Sequence, residues 1–244
     1  MVNYKLILEK LINLRGEGQF DEAYQFAINN FIEHQNYHQI VFDSNPIFWR
    51  DIKTGGGILT RRNEKDSKFM RTLWSNKEFM LKFHRLMPQL PESDKELSHI
   101  LNLEYSSGLS ETKALHWIVR DRKLSPWGLV TITDISITNK RAEVLIGILP
   151  NAPLGLPVAS MLIVFEFYFK LMKFNKLISY VYEDNLHALN GALHLGFKVE
   201  GTFMNHVLDP ESRNYVNLHV LGLFEKDAFN PSNSSLMKRL LATK

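Results

Sequence analysis

No cysteine occurs in the 244 residues, which excludes structural disulfides, thiolate metal sites and a cysteine nucleophile together. The absence suits a reducing compartment. Long apolar runs are also missing. The longest, Leu154 to Phe169, is broken by Gly155, Pro157 and Glu166 and is too short to span a bilayer. The N-terminal MVNYKLILEKLINL is amphipathic and lacks the apolar core and cleavage site of an export signal. These absences together lead to the expectation of a cytoplasmic protein with no membrane span. No dense run of Lys and Arg accompanies the formal charge of +3, so no nucleic-acid partner is expected. His34 and His38 have near-helical spacing but no third ligand, and no metal site is expected.

Apolar material, by contrast, is ample. A hydrophobic fraction of 45% over this length supports one large domain, or one domain with an appendage. Residues 3–36 read as two helices. Tyr4, Leu6, Ile7, Leu8, Leu11, Ile12 and Leu14 recur at helical spacing, Arg15-Gly16-Glu17-Gly18 interrupts, and Phe20-Asp21-Glu22-Ala23 opens the second. The pair resembles a single tetratricopeptide-type hairpin, which needs a neighbour to bury its faces. Residues 42–57 read as a connector ending in Gly55-Gly56-Gly57. The expected division is therefore 1–54 as helical extension and connector, 55–226 as the main domain, and 227–244 as a polar tail with a short helix.

From Ile58 the pattern alternates. ILTRR reads as a strand, Glu64 to Arg85 as a helix interrupted afterwards by Pro88 and Pro91, and Lys95 to Leu103 as another helix. Strand-like runs come next at 116–121, 128–136 and 142–149, then an apolar helix at 157–173 and a strand at 176–183. A helix at 186–195 and strands near 197–207 and 215–224 complete the order. The predicted class is α/β (α+β) with a mixed central sheet.

The stretch NLHALNGALHLGFKVEG, Asn185 to Gly201, comes directly after the strand ISYVYED. An Asn, a small residue three positions on (Ala188), and then G-F-x-x-E-G at Gly196–Gly201 resemble the signature of the GNAT superfamily of acyl-CoA-dependent N-acyltransferases. The nearest branch is similar to the one acting on ribosomal-protein N-termini, polyamines and antibiotics. GLVTITDIS, AEVLIGILP, the long helix and the Asn segment arrive in the order that this family has, and the resemblance covers about Ile58 to Phe224. It implies the GNAT fold, in which two parallel strands, here 142–150 and 177–183, splay into a V.

The resemblance implies an acyl-CoA cosubstrate, acetyl-CoA or a longer acyl-CoA, lying in that V. Its pantetheine arm would pair with the free edge of the first strand at Ile146 and Ile148. Its pyrophosphate would meet the amides of Gly155, Leu156, Val158 and Ala159 at the start of the next helix. The family's loop there reads [QR]-x-x-G-x-[GA], whereas this chain has Ala152 first and Pro157, with no N–H, last. Asn185 bonds the pantetheine or caps the helix that it precedes; both roles suit it. The proton donors common in the family are replaced by Ala188 and Ala192, which leaves Tyr182, His187 and His194 as alternatives. Glu143 matches the acidic residue at the strand start and is the first candidate for general base, with Asp134 on the neighbouring strand. His116, beside Trp117, is another candidate base, and His206, His219 and Asp209 lie in the C-terminal hairpin, which in the family often borders the acceptor pocket.

The implied function is N-acyl transfer to a primary amine of a peptide, protein or small metabolite by direct attack in a ternary complex. One alternative is transfer of a longer chain lined by Met161, Leu162, Phe165 and Met172. The other is a degenerate domain that only binds a partner. The C-terminal hairpin is where a homodimer would form in many relatives.

Overall fold

A computed structural model describes residues 4–85 and 90–242. The elements run α1 (Tyr4–Gly16), α2 (Phe20–Asn30), α3 (Tyr37–Asp43), β1 (Ile52–Lys53), β2 (Ile58–Arg61), α4 (Ser67–Ser75), α5 (Lys77–Phe83), α6 (Asp94–Ser106), α7 (Leu109–Thr112), β3 (Leu115–Arg120), β4 (Pro126–Ser136) and β5 (Arg141–Ile148). Next come α8 (Leu156–Phe165), continued by a π-helical stretch at Glu166–Leu171, and β6 (Lys176–Tyr182), α9 (Leu186–His194), β7 (Lys198–Leu208), β8 (Tyr215–Phe224), α10 (Glu225–Ala228) and α11 (Pro231–Leu240).

The eight strands form one sheet in the order β1-β2-β3-β4-β5-β6-β8-β7. Every pairing is antiparallel except β5 with β6. Two parallel neighbours require a crossover, and α8 supplies it. Period-two alternation then sorts the side chains. Trp117, Val119, Val130, Ile132 and Val144 face the α8 side and share the main core with Leu162, Phe165 and Phe167. Ile118 and Leu129 point the other way, onto Met70, Leu73, Phe79, Met80, Leu97 and Leu101 of α4, α5 and α6. The sheet is thus sandwiched between two helical layers.

Two local departures from the sequence reading concern the helices. The single helix expected over Glu64–Arg85 is broken at Asn76, whose side-chain oxygen accepts the Phe79 amide at 3.0 Å. That bond caps α5 and ends α4, as a short polar side chain does when it competes with the helical ladder. Pro88, expected to interrupt the segment, lies outside the described residues. A third N-terminal helix, α3, places Tyr37, Ile40 and Val41 against the α1–α2 core of Leu11, Ala23, Ala27 and Phe31.

The glycine run is not an open linker. A Cβ on Gly56 would lie 2.7 Å from the Leu240 carbonyl and 2.8 Å from the Ala159 Cβ, so only glycine permits this crossing. The Gly55 amide donates to Leu241 at 3.1 Å. Beyond residue 226 the chain packs as well, with Met237 in the main core and Asn233 fully buried, donating to the Leu195 and Ala228 carbonyls. The N-terminal helices join the body through Arg15, which lies over the Trp49 ring at 4.6 Å, and through Asp43, which accepts the Ser110 amide at 2.8 Å.

Candidate active site

The parallel pairing of β5 with β6 stops early. It covers Arg141 with Lys176, Ala142 with Leu177 and Glu143 with Ile178, and no further. Beyond Glu143 the two strands diverge, because β5 stays registered to β4 as far as Ile148 while β6 stays registered to β8 as far as Tyr182. The base of this fork is closed by Tyr168. Its hydroxyl donates to the Lys176 carbonyl at 2.6 Å and receives the Ala142 amide.

The free edge of β5 lines one arm. The Leu149 amide donates to Trp127 on β4 at 2.8 Å. Backbone groups alternate sides along an antiparallel ladder, so Leu145 and Gly147 also bond β4. The N–H and C=O groups of Val144, Ile146 and Ile148 therefore face the fork, where β6 has turned away. Ile146 and Ile148 lie on this edge, unpaired with β6.

Glu143 is the last residue of β5 paired with β6 and stands in the crotch. Its carboxyl is pushed up to about 7, first by burial and then by the Asp134 charge. Tyr182 ends β6 on the same sheet face. Its oxygen accepts the Arg85 amide at 3.0 Å, which leaves the phenolic proton free to be donated. Burial raises its pKa, and the nearby Glu143 carboxylate adds to the push. One group in the site thus takes up a proton near neutrality while the other keeps its own.

The segment after α5 straps the open side of the fork. Gly147 on β5 lets α5 sit against the sheet, since a Cβ there would lie 2.5 Å from Phe79 and 2.7 Å from Phe83. Arg85 then crosses to β6. Its guanidinium lies 4.4 Å from the centre of the Tyr182 ring, bonds both oxygens of Asp184 and reaches Asp209 at 2.9 Å. Sequence reasoning missed Arg85 entirely, and no short-range motif marks it.

Asn185 takes the capping role. Its oxygen caps α9 by accepting the Ala188 amide at 3.2 Å, and its amide nitrogen is 3.4 Å from the Lys82 carbonyl. Four other candidates stand apart. Asp134 sits at a break in the β4–β5 register with φ +47, exposed and paired with Arg141 at 2.7 Å, so it acts on Glu143 only through its charge. His187 is exposed on the first turn of α9. His116 is held by Thr131 at 3.0 Å, and burial with Arg62 and Arg61 lowers it well below the usual histidine range. Its ring is neutral and structural. His219 bonds Thr202 at 2.9 Å on the outer strands.

At the head of α8, Gly155 adopts φ +86 and Pro157 enters the first turn. The Leu156 amide donates to Pro153 at 3.0 Å and the Ala159 amide to Gly155 at 2.9 Å. Two of the four amides expected to meet a phosphate are therefore engaged within the protein. Those of Gly155 and Val158 have no partner among the described residues. Met161, Leu162 and Phe165 are buried in the main core, a packing role.

No protein-family model and no curated protein matches this sequence. Solved structures do. The spermidine N-acetyltransferase of Vibrio cholerae, in complex with CoA and spermine, superposes with a TM-score of 0.62 at 19% identity, covering 72% of this chain and 99% of that one. A dodecameric form of that enzyme in an intermediate state gives 0.59 at 19% identity, over 72% and 98%. At this identity the likeness concerns the backbone. The forked mixed sheet, the crossover helix and the strand order of this chain are those of the GNAT fold.

Proposed function

We propose that this protein is an acyl-CoA-dependent N-acyltransferase that moves an acetyl group from acetyl-CoA to a primary amine. The fork carries the reading: an unpaired β5 edge ends at a half-buried carboxyl pushed up to about 7. CoA would lie as a surrogate strand along Ile146 and Ile148, with its pyrophosphate near the Gly155 and Val158 amides. Glu143 would take the proton that the substrate ammonium must lose. The amine nitrogen attacks the thioester carbon, a C–N bond forms and the C–S bond breaks. Tyr182 protonates the departing thiolate and regains a proton from the nitrogen.

A peptide or protein N-terminus, as in the ribosomal-protein branch, and a small amino metabolite are the acceptors in keeping with this site. A polyamine is a third, because Asp184 and Asp209, the acids beside the fork, share the single charge of Arg85 and keep one net negative charge there. Acetyl is favoured over a fatty chain because the α8 side chains that would line a channel are occupied by packing. The N-terminal helices act in this reading as a shoulder packed on the catalytic body rather than a separate recruiting module. A homodimer through the β7–β8 hairpin fits the exposure of Val199, Phe203, Met204 and Tyr215 on a sheet edge that otherwise invites pairing. No helix among the described residues is long and apolar enough to cross a membrane, in keeping with a cytoplasmic site of action.

Release of CoA thiol tests this, with acetyl- and octanoyl-CoA offered against a peptide N-terminus, glucosamine and spermidine. Faster release from acetyl-CoA than from octanoyl-CoA is expected, and the fastest of the three amines identifies the acceptor class. No release above the uncatalysed rate with any amine would leave only the partner-binding alternative.

A further inference from the structure

At the end of the molecule opposite the α8 N-terminus lies a cleft of about 890 Å³. Four lysines line it, Lys140, Lys170, Lys173 and Lys226, against one acid, Glu225. The net charge of this lining is +3, equal to the formal charge of the whole chain. The rest of the protein is therefore neutral in sum, and its excess cation is gathered in one concavity.

The four lysines come from separate segments. Lys140 precedes β5, Lys170 lies in the π-helical stretch, Lys173 comes just after it, and Lys226 is in α10. Lys170 pairs with Glu225 and lies 4.4 Å from the centre of the Phe229 ring. Lys140, Lys173 and Lys226 have no anionic partner among the described residues.

Backbone conformation adds a second observation. Lys140 has φ +48 and Lys173 φ +55, the left-handed region in which glycine or asparagine is the comfortable residue. Lys173 occupies the position just past a helix end where glycine is the usual choice. Lysine holds both positions at a steric cost, as other side chains do at Lys113, Leu124, Asp134, Asn205 and Arg213. The π-helical turn that presents Lys170 is a form concentrated at functional sites.

We propose that this cleft binds an oligophosphate, a chain of two or three linked phosphates, either free or as the triphosphate of a nucleotide. Lysine ammonium groups are compact point charges suited to phosphate oxygens, and the net +3 complements the multiple negative charge of such a chain. The volume lies within the range of small-molecule sites. The cleft is distinct from the CoA position. Leu156 and Leu171 bound the intervening helix, which at about 1.5 Å per residue separates its ends by roughly 20 Å or more.

Calorimetric titration with tripolyphosphate, ATP and sulfate at matched ionic strength tests the proposal. Saturable binding of tripolyphosphate, at least about tenfold tighter than sulfate, is expected. The double variant Lys140→Asn, Lys173→Asn should weaken it by about tenfold or more, the scale of losing charge-assisted bonds. Its melting temperature should match or exceed that of the wild type, since asparagine relieves the left-handed backbone. A control pair with the same charge change, Lys95→Asn with Lys238→Asn, should leave affinity unchanged. ATP binding tighter than tripolyphosphate identifies the nucleotide as the source of the phosphates; equal or weaker ATP binding identifies the bare chain. Absence of saturable binding, equal affinity for sulfate, undiminished affinity in the cleft variant, or an equal loss in the control pair would overturn the proposal.

Discussion

Replacing Glu143 by Gln is expected to lower kcat/KM for a primary amine by about two to three powers of ten and, above pH 7, to raise the melting temperature. Both effects stem from one property. Burial, assisted by the charge of Asp134, lifts the Glu143 carboxyl to about 7, against about 4.3 in an unfolded chain. The proton-free form is the base, so wild-type kcat/KM should climb with pH through that value, and the variant should lack this limb. For stability the sign runs the other way. Between the unfolded and folded values the folded protein holds a proton that the unfolded chain has released. The stability linked to Glu143 is thus fully present below about 4.3 and is lost as pH rises through about 7. After allowance for partial exposure, the loss above pH 7 is about 2 kcal/mol. Glutamine, of the same shape and uncharged, escapes it. A variant that gains stability at pH 8 while losing activity marks a group kept for chemistry. Unchanged activity in Glu143→Gln would remove Glu143 from the mechanism.

The second large effect is expected at Arg85. Its side chain is 6% exposed and joins the end of α5 to Asp184 and Asp209 across the fork. Arg85→Ala should destabilise the protein by about 2–3 kcal/mol, below the range for a fully buried broken pair because the Asp184 side chain is 54% exposed. Thermal denaturation should register this as a fall of about 5–10 °C. Activity should fall further than unfolding explains, because the Arg85 amide that orients Tyr182 belongs to the loosened segment. Arg85→Lys should not restore the enzyme, since an ammonium cannot bond two carboxylates in the planar fork of a guanidinium while stacking on a ring. Full recovery by lysine would show that only the charge matters there.

The forked sheet was legible because its signals are local. Alternation marks β4, β5 and β6, and the stretch from Asn185 to Gly201 marks α9 and the start of β7. The strand positions of Ile146 and Glu143 were therefore readable from alternation and family order. Arg85 was not, because Asp184 and Asp209 lie 99 and 124 residues away along the chain. The lysine cleft was hidden for the same reason. The sequence shows no dense basic run, and only the turn before β5, the end of the α8 crossover and the start of α10 bring Lys140, Lys173 and Lys226 together. The α4–α5 break turned on one side-chain bond from Asn76, which apolar periodicity cannot resolve. Asp134 and His187 were credible by spacing alone. A local register break and an exposed helix face turned them elsewhere.

Everything in the proposed chemistry depends on the open edge of β5 and the head of α8 holding an acyl-CoA donor, despite Pro157 and the engaged amides of Leu156 and Ala159. Calorimetric titration of the full chain with CoA and acetyl-CoA tests this most directly. Saturable binding in the micromolar range is the expected result. No heat of binding with either ligand at millimolar concentration would contradict it, and would mean that the fork persists in this chain without its donor.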